Sequence, residues 1–479
     1  MVRQNLLLLV IACACTANED RTDTDPELPE ADDVVTLTEG GAVTCAAPQY
    51  RRKEGYIVQT LPVEASPFPY LGGAGAAVVD IDGDGMRDLI TATRSEVQLY
   101  TADEMGVYTG RVIATVDVTA PARGLFGITA FDLEDDGDMD LLVTGLGTRN
   151  LMLKNDGAGQ FTDVAYEIGL VTPPLHYSAG SSVVDWDNDG DLDIFISGHG
   201  WVNEALNASE LGPANPSFLF ENQDGRYVDI GGQLPQDVQD AYTFVGGFLD
   251  ADRDGDLDLY MVNDFGATQV PCKLLHNDGT GQFTADNNAS LIDAEIAGMG
   301  LAIGDYDGDG DEDLAVPAWG RNALYLDSEG AWFEVSYARG FVADSGPERT
   351  VGWGTEMVDT NNDGRMDLPT QYGFLDTNIG TNNGPDQFDA LWLQGEDRRL
   401  IEAPSQWRFD VQGRAHRGAV WADINRDGFL DVLRIGLRGS ASLLTSYCDT
   451  NAWLTVTLEQ PAPNRNAIGA EVEVEHNGT

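Results

Sequence analysis

Lysine is nearly absent: of 27 Lys and Arg residues only Lys53, Lys154 and Lys273 are lysines, set against 80 Asp and Glu for a formal charge of −53. Nucleic acids and anionic lipid surfaces both reward basic clusters, so this balance argues against either as a partner. Histidine and cysteine are scarce too, with five of each. His176, His199, His276, His416 and His476 form no HExxH or comparable ligand set, and the cysteine spacing matches no zinc site. No G-x-S-x-G elbow and no P-loop occurs, so the common hydrolase and nucleotide signatures are missing. Long apolar runs are missing as well; the N-terminal stretch Leu6 to Ala12 is too short to span a bilayer. What remains is length, 479 residues, and 42% hydrophobic residues, enough to bury a core in spite of the charge. That length implies two to four domains or one large repetitive architecture.

The first sixteen residues, MVRQNLLLLVIACACT, read as a signal peptide with Arg3 ahead of a short apolar segment. Val10-Ile11-Ala12-Cys13 resembles a bacterial lipobox, which makes Cys13 the expected lipidation site; Ala12-Cys13-Ala14-Cys15 is a second choice. An ordinary signal peptide cleaved near Ala14 or Ala17 is the alternative. The expected division is 1–12 signal peptide, 13–50 acidic tether that repels itself and cannot pack, 51–447 the repeat array, and 448–479 a further segment. Export follows, as an outer-membrane lipoprotein or in secreted form, with the membrane touched only through the lipid. Cys45 and Cys448 flank the array and would meet if it closes, which suggests a disulfide in an oxidising compartment.

One nonapeptide recurs seven times: DIDGDGMRD, DLEDDGDMD, DWDNDGDLD, DADRDGDLD, DYDGDGDED, DTNNDGRMD and DINRDGFLD, starting 52, 53, 65, 55, 54 and 64 residues apart. These loops hold 32 of the 80 acidic residues. Position one is Asp80, Asp132, Asp185, Asp250, Asp305, Asp359 or Asp423, and position three is Asp82, Glu134, Asp187, Asp252, Asp307, Asn361 or Asn425. Position five is Asp84, Asp136, Asp189, Asp254, Asp309, Asp363 or Asp427, and position nine is Asp88, Asp140, Asp193, Asp258, Asp313, Asp367 or Asp431. These are hard oxygen donors of the kind Ca²⁺ prefers. Position six is always Gly, as expected where the backbone must take a positive φ to fold around an ion. Position seven is indifferent, being Met86, Asp138, Asp191, Asp256, Asp311, Arg365 or Phe429, as a backbone carbonyl ligand would allow. The substitutions at Asn361 and Asn425 leave copies six and seven the weakest, and an acidic turn without metal is the competing reading there.

An EF-hand would need Glu at position twelve and helices on both sides. Position twelve is Thr91, Val143, Ile196, Met261, Val316, Thr370 or Arg434, and the flanks, such as Ala76–Val79 and Leu141–Val143, are short and β-favouring. Each loop therefore joins two strands. Third strands at Leu151–Lys154, Phe218–Phe220, Leu274–His276 and Ala323–Leu326 lead into turns such as NDGAGQF, with a fourth strand opening at the closing aromatic. Four antiparallel strands in each of seven units predict an all-β, seven-bladed β-propeller, a linear solenoid being the alternative. Pro369 marks blade six as irregular, and the longer spacings imply insertions around Trp201–Pro216 and near Thr377–Phe388.

With these motifs in view, the sequence resembles the FG-GAP/VCBS repeat family, whose blades resemble those of integrin α-subunit propellers. FTDVAYEIGL (Phe161–Leu170) and GMGLAIGDYDGDGDEDL (Gly298–Leu314) look like the cartilage-acidic-protein branch. NAWLTVTL (Asn451–Leu458) and NRNAIGAEVEVE (Asn464–Glu475) resemble the start of an ASPIC/UnbV domain, whose continuation past HNGT is missing, so 448–479 reads as a partial domain. The resemblance covers roughly residues 55–479 and implies a propeller with Ca²⁺, up to seven ions, in the interstrand loops. The expected function is an exported, non-enzymatic calcium-binding module for adhesion at the cell surface, with an extracellular protein or glycan as partner. A lectin-like glycan binder and a polysaccharide-active enzyme are the alternatives. Trp186 and Tyr306 are expected to pack between blades rather than stack on sugar, and His199 to sit in the core or at the surface. Asn207 and Asn288 would be glycosylated only in a eukaryotic secretory pathway.

Overall fold

The structure, a computed structural model, describes residues 34–39, 49–52, 75–104, 106–118, 123–202, 211–285, 292–342, 350–373, 387–403, 416–436, 441–447, 453–470 and 472. Cys13, Cys45 and Cys448, the two Asn-Ala-Ser sequons and the insertion near 377–386 lie outside them.

Seven four-stranded antiparallel sheets follow one another along the described chain. Blade one is built from Ala76–Val79, Asp88–Ala92, Glu96–Ala102 and Tyr108–Thr115 in that order. Every residue of its second strand is buried, because a middle strand of a blade is covered on both faces by the neighbouring blades. That is why these strands read as continuous apolar runs rather than as alternations. The fourth strands open at or beside the predicted aromatic, at Phe161–Asp163, Arg226–Asp229, Phe283–Ala285 and Phe333–Glu334. In blade three the extra residues form a hairpin, Gly200–Val202 against Leu211–Ala214.

Pro369 lies inside the second strand of blade six, Leu368–Tyr372, paired with Leu391. On its other side Thr355 pairs with Thr370 and Val358 with Asp367, and the two residues between them on each strand, Pro369 among them, form no pair. The proline thus falls where the ladder is already interrupted, and its missing donor costs little.

Among the described residues an apolar cluster fills each of the seven junctions between blades. Ile90, Leu99, Leu141 and Leu153 join blades one and two, and Leu89, Tyr100, Leu433 and Leu443 join blade seven back to blade one. The ring is therefore closed, and a linear array is excluded. Trp186 and Tyr306 sit fully inside two such junctions, stacked on Phe248 and donating to the Arg398 carbonyl respectively. The innermost strands converge so closely that a Cβ on Gly300 would lie 2.1 Å from the Trp353 carbonyl oxygen. Where they start, Phe126, Phe244 and Trp353 from blades two, four and six stack across the axis, and the Arg417 guanidinium from blade seven lies 3.9 Å from the Trp353 ring.

Two segments differ from the expected boundaries. Gln49–Arg52 is the outermost strand of blade seven, paired with the strand Ser442–Tyr447, so N-terminal chain completes the last blade. Val34–Glu39, within the stretch assigned to the tether, pairs with Leu454–Glu459. The run Val34-Val35-Thr36-Leu37-Thr38 is β-branched and apolar, a strand signal outweighed in the sequence by its acidic neighbours. Strands of the fold therefore begin before residue 51, inside the stretch 13–50 expected to be an unpacked tether.

Candidate metal centres

Each nonapeptide links the first and second strands of its blade, and all seven adopt one hydrogen-bonded form. The position-six Gly donates its N–H to the position-one carboxylate, at 2.8 Å from Gly85 to Asp80 and 2.7 Å from Gly364 to Asp359. Position seven donates to position five, as in Met86 to Asp84 at 2.7 Å and Phe429 to Asp427 at 3.0 Å. Position six takes a positive φ throughout, from 82° at Gly364 to 98° at Gly190. Position four does the same, from 55° at Asn362 to 71° at Gly83 and Gly308. This second left-handed residue went unread in the sequence, although Gly, Asn or Asp at five of the seven copies was its signal.

The position-nine Asp is buried and works in two directions. In blade three the Asp193 Oδ1 accepts the Asn222 N–H at 2.8 Å, from the third strand, and Oδ2 accepts the Trp186 N–H at 3.3 Å, from the loop itself. Asp88, Asp140, Asp258, Asp313 and Asp367 repeat this pattern, and Asp431 does so with Asn425 in place of the second residue. This residue fastens the loop to the sheet whether or not an ion is present.

The loops of blades one, three, four and five gather carboxylates tightly. Asp80, Asp82 and Asp88 bring oxygens within 4.8 Å of one another, as do Asp185 with Asp187 and Asp193, Asp250 with Asp252 and Asp254, and Asp305 with Asp307 and Asp313. Among the described residues blades two, six and seven show no such group. In blade two Lys154 pairs with Glu134. In blade six Arg365 pairs with Asp363, and Asn361 Nδ2 donates to the same carboxylate at 3.0 Å. In blade seven Asn425 Nδ2 donates to Asp427 at 2.9 Å. The tight groups suit a metal ion for a further reason. Asp80 Oδ1, Asp82 Oδ1 and Asp185 Oδ1 are buried and accept no hydrogen bond, a costly state for a carboxylate that a cation would relieve.

Burial dominates the electrostatics of the metal-free loops. It pushes Asp193 up to about 9, Asp313 and Asp431 to about 8, and Asp88 and Asp140 to about 6, with neighbouring carboxylates adding to the rise. These folded values exceed the unfolded ones, so the folded metal-free chain binds more protons. Its stability is then greatest at acid pH and is lost as pH rises through about 6 to 9. Calcium needs the ionised form, so its stabilising effect runs the other way. The rise in melting temperature on adding Ca²⁺ is expected to be larger at pH 8.5 than at pH 5; a scanning fluorimetry series giving the reverse order would remove this account.

The loops also touch one another. Position four of three loops reaches position six or seven of the next: Asn188 Nδ2 donates to Asp256 at 2.9 Å, Asn362 Nδ2 donates to the Gly428 carbonyl at 2.8 Å, and Arg253 pairs with Asp311. Between blades two and three Asp135 and Asp191 repel instead. There the C-terminal segment intervenes, with the Arg465 N–H donating to Asp135 at 3.0 Å. Away from these loops, His199 is buried with Nε2 3.7 Å from Asp264 and its ring 4.2 Å from Phe244, and Cys272 is a buried free thiol.

Fold and loops together define a closed seven-bladed β-propeller with an aspartate turn in the inner hairpin of each blade. The FG-GAP-like repeat model matches residues 80–143, 132–196 and 250–316, each match running from one nonapeptide into the strand after the next. The chain thus carries FG-GAP-like repeats over residues 80–196 and 250–316. It is 24% identical to human cartilage acidic protein 1 over 400 residues, 78% of this chain and 57% of that protein. It is 23% identical to the mouse protein over 434 residues, 83% and 63% of the respective lengths, so it spans under two thirds of either relative. A solved Agrocybe aegerita lectin that recognises non-reducing terminal N-acetylglucosamine aligns with a TM-score of 0.41 at 15% identity, covering 70% of this chain and 79% of the lectin. No helix among the described residues is long and apolar enough to cross a membrane.

Proposed function

We propose that the chain is an exported, calcium-loaded binding module that acts without catalysis, as an adhesion surface outside the cell. The observation that carries it is the convergence of three carboxylates in the loops of blades one, three, four and five, with buried Asp80, Asp82 and Asp185 oxygens in blades one and three that accept no hydrogen bond. Ca²⁺ takes six to eight oxygens, and side chains at positions one, three, five and nine with the position-seven carbonyl and water supply them. The ion's role is structural: it neutralises crowded carboxylates and closes the turn joining two strands. Loops linked from blade to blade present one rigid face, the kind of scaffold on which recognition sits. FG-GAP repeats and the likeness to cartilage acidic protein 1 support an extracellular binding role. The signal-peptide and lipobox reading of residues 1–16 supports export, with Cys13 as anchor.

Beads coated with the full chain are expected to be retained by immobilised extracellular matrix protein in Ca²⁺ and released by chelator. Retention that ignores Ca²⁺, or turnover of any glycan by the chain, would overturn this reading. Retention confined to a glycan array would favour the lectin alternative.

A further inference from the structure

One residue outside each nonapeptide stands beside its loop. It lies in the third strand, just before the residue whose N–H donates to the position-nine Asp. Around the ring it is Thr101, Lys154, Glu221, His276, Leu326, Leu393 and Thr445.

In two blades this residue acts on the loop directly. Lys154 pairs with Glu134, the position-three donor of blade two. That loop holds six acidic residues, Asp132, Glu134, Asp135, Asp136, Asp138 and Asp140, yet it lacks the three converging carboxylates found in blade one, whose loop has only four. Acid count therefore does not make the group; the ammonium has drawn Glu134 to itself. In blade four His276 Nδ1 lies 3.5 Å from Asp252 Oδ2 and 2.9 Å from Asp258 Oδ2, and these three residues form a group with donor atoms within 4.8 Å of one another.

We infer that this third-strand residue sets which cation each loop holds and how tightly. Lys154 supplies blade two with an internal cation that competes with Ca²⁺. His276 gives blade four a mixed nitrogen and oxygen donor set, which admits Zn²⁺ where an all-oxygen loop prefers Ca²⁺. The ion binds the lone pair of the His276 Nδ1, and the proton that nitrogen shares with Asp258 is released to water or replaced by the Nε2–H tautomer. This grading rests on the loops being cation sites, as proposed above.

The test uses the full chain stripped of metal, with Ca²⁺ binding followed by equilibrium dialysis and Zn²⁺ retention measured in excess Ca²⁺. Lys154→Thr, which installs the residue that blades one and seven carry, is expected to add one Ca²⁺ per chain or to tighten the weakest site roughly tenfold. Lys154→Arg, which keeps the charge, is expected to bind as the unaltered chain does. The unaltered chain is expected to retain one Zn²⁺, and His276→Thr to lose it while keeping its Ca²⁺. If Lys154→Thr leaves the Ca²⁺ isotherm unchanged, or if His276→Thr retains its Zn²⁺, the grading is overturned although the loops still bind calcium. If no form of the chain takes up Ca²⁺, the calcium reading falls and the grading with it.

Discussion

Chelation of the full chain is expected to lower its melting temperature by on the order of 5–10 °C. Extracellular modules bind Ca²⁺ with Kd around 10⁻⁴–10⁻³ M, and an ion at ten times Kd adds about 1.4 kcal/mol to folding. Counting only the loops of blades one, three, four and five, where carboxylates converge, the sum is about 6 kcal/mol. Unfolding entropy near 2.1 cal/mol/K per residue, over the roughly 350 described residues, converts this to roughly 8 °C. The effect arises because carboxylates at ~4 Å repel by about 4 kcal/mol per pair at an effective dielectric near 20, and only an ion removes that repulsion without unfolding the turn. A thermal unfolding curve that does not move between excess Ca²⁺ and excess chelator would show that the loops stand without metal.

The second large effect separates two kinds of aspartate in one loop. Asp193→Ala removes the acceptor for both the Asn222 and the Trp186 N–H groups and leaves them buried and unpaired. Each orphaned donor costs about 1–3 kcal/mol, so a loss of about 3–5 kcal/mol is expected in chelator, where metal plays no part. Asp193→Asn keeps one acceptor and should lose about half as much. Asp189→Ala, at exposed position five, removes one local hydrogen bond from the Asp191 N–H and should cost about 1 kcal/mol or less in chelator. In Ca²⁺ both alanine variants also forfeit the stabilisation from that site, about 1.4 kcal/mol, so each total grows while Asp193→Ala stays the more costly. Denaturant titrations of the three variants with and without Ca²⁺ give the answer. Equal losses for Asp193→Ala and Asp189→Ala in chelator would mean that position nine is a metal ligand and no more.

Much of this was legible in the chain itself. The nonapeptide fixes its own geometry because each constraint in it is local: a glycine with positive φ, and short carboxylates that accept N–H groups a few residues away. Position four carried the same kind of signal, but Arg253 and Arg426 obscured it, since arginine seldom adopts the left-handed region and does so here at 63° and 60°. Position nine looked like one donor among several. Its partner across the sheet, Asn222 in blade three, is 29 residues away, so only the folded blade reveals the fastening role.

By itself the sequence determined the unit, its number and its kind: seven repeats of four short strands, each with an oxygen-rich turn, follow from periodicity and residue chemistry within about sixty residues of chain. Tertiary structure alone decided how the ring shuts and which turns draw their carboxylates together. Gln49–Arg52 completes a blade whose other strands lie between residues 416 and 447, a pairing that no local pattern announces. Lys154, Arg365 and His276 reach their loops because strand pairing or the turn itself places them there, and a charge a few ångströms from a carboxylate changes what that carboxylate can hold. Repetition is written along the chain, whereas the differences among the seven turns come from neighbours that folding brings together.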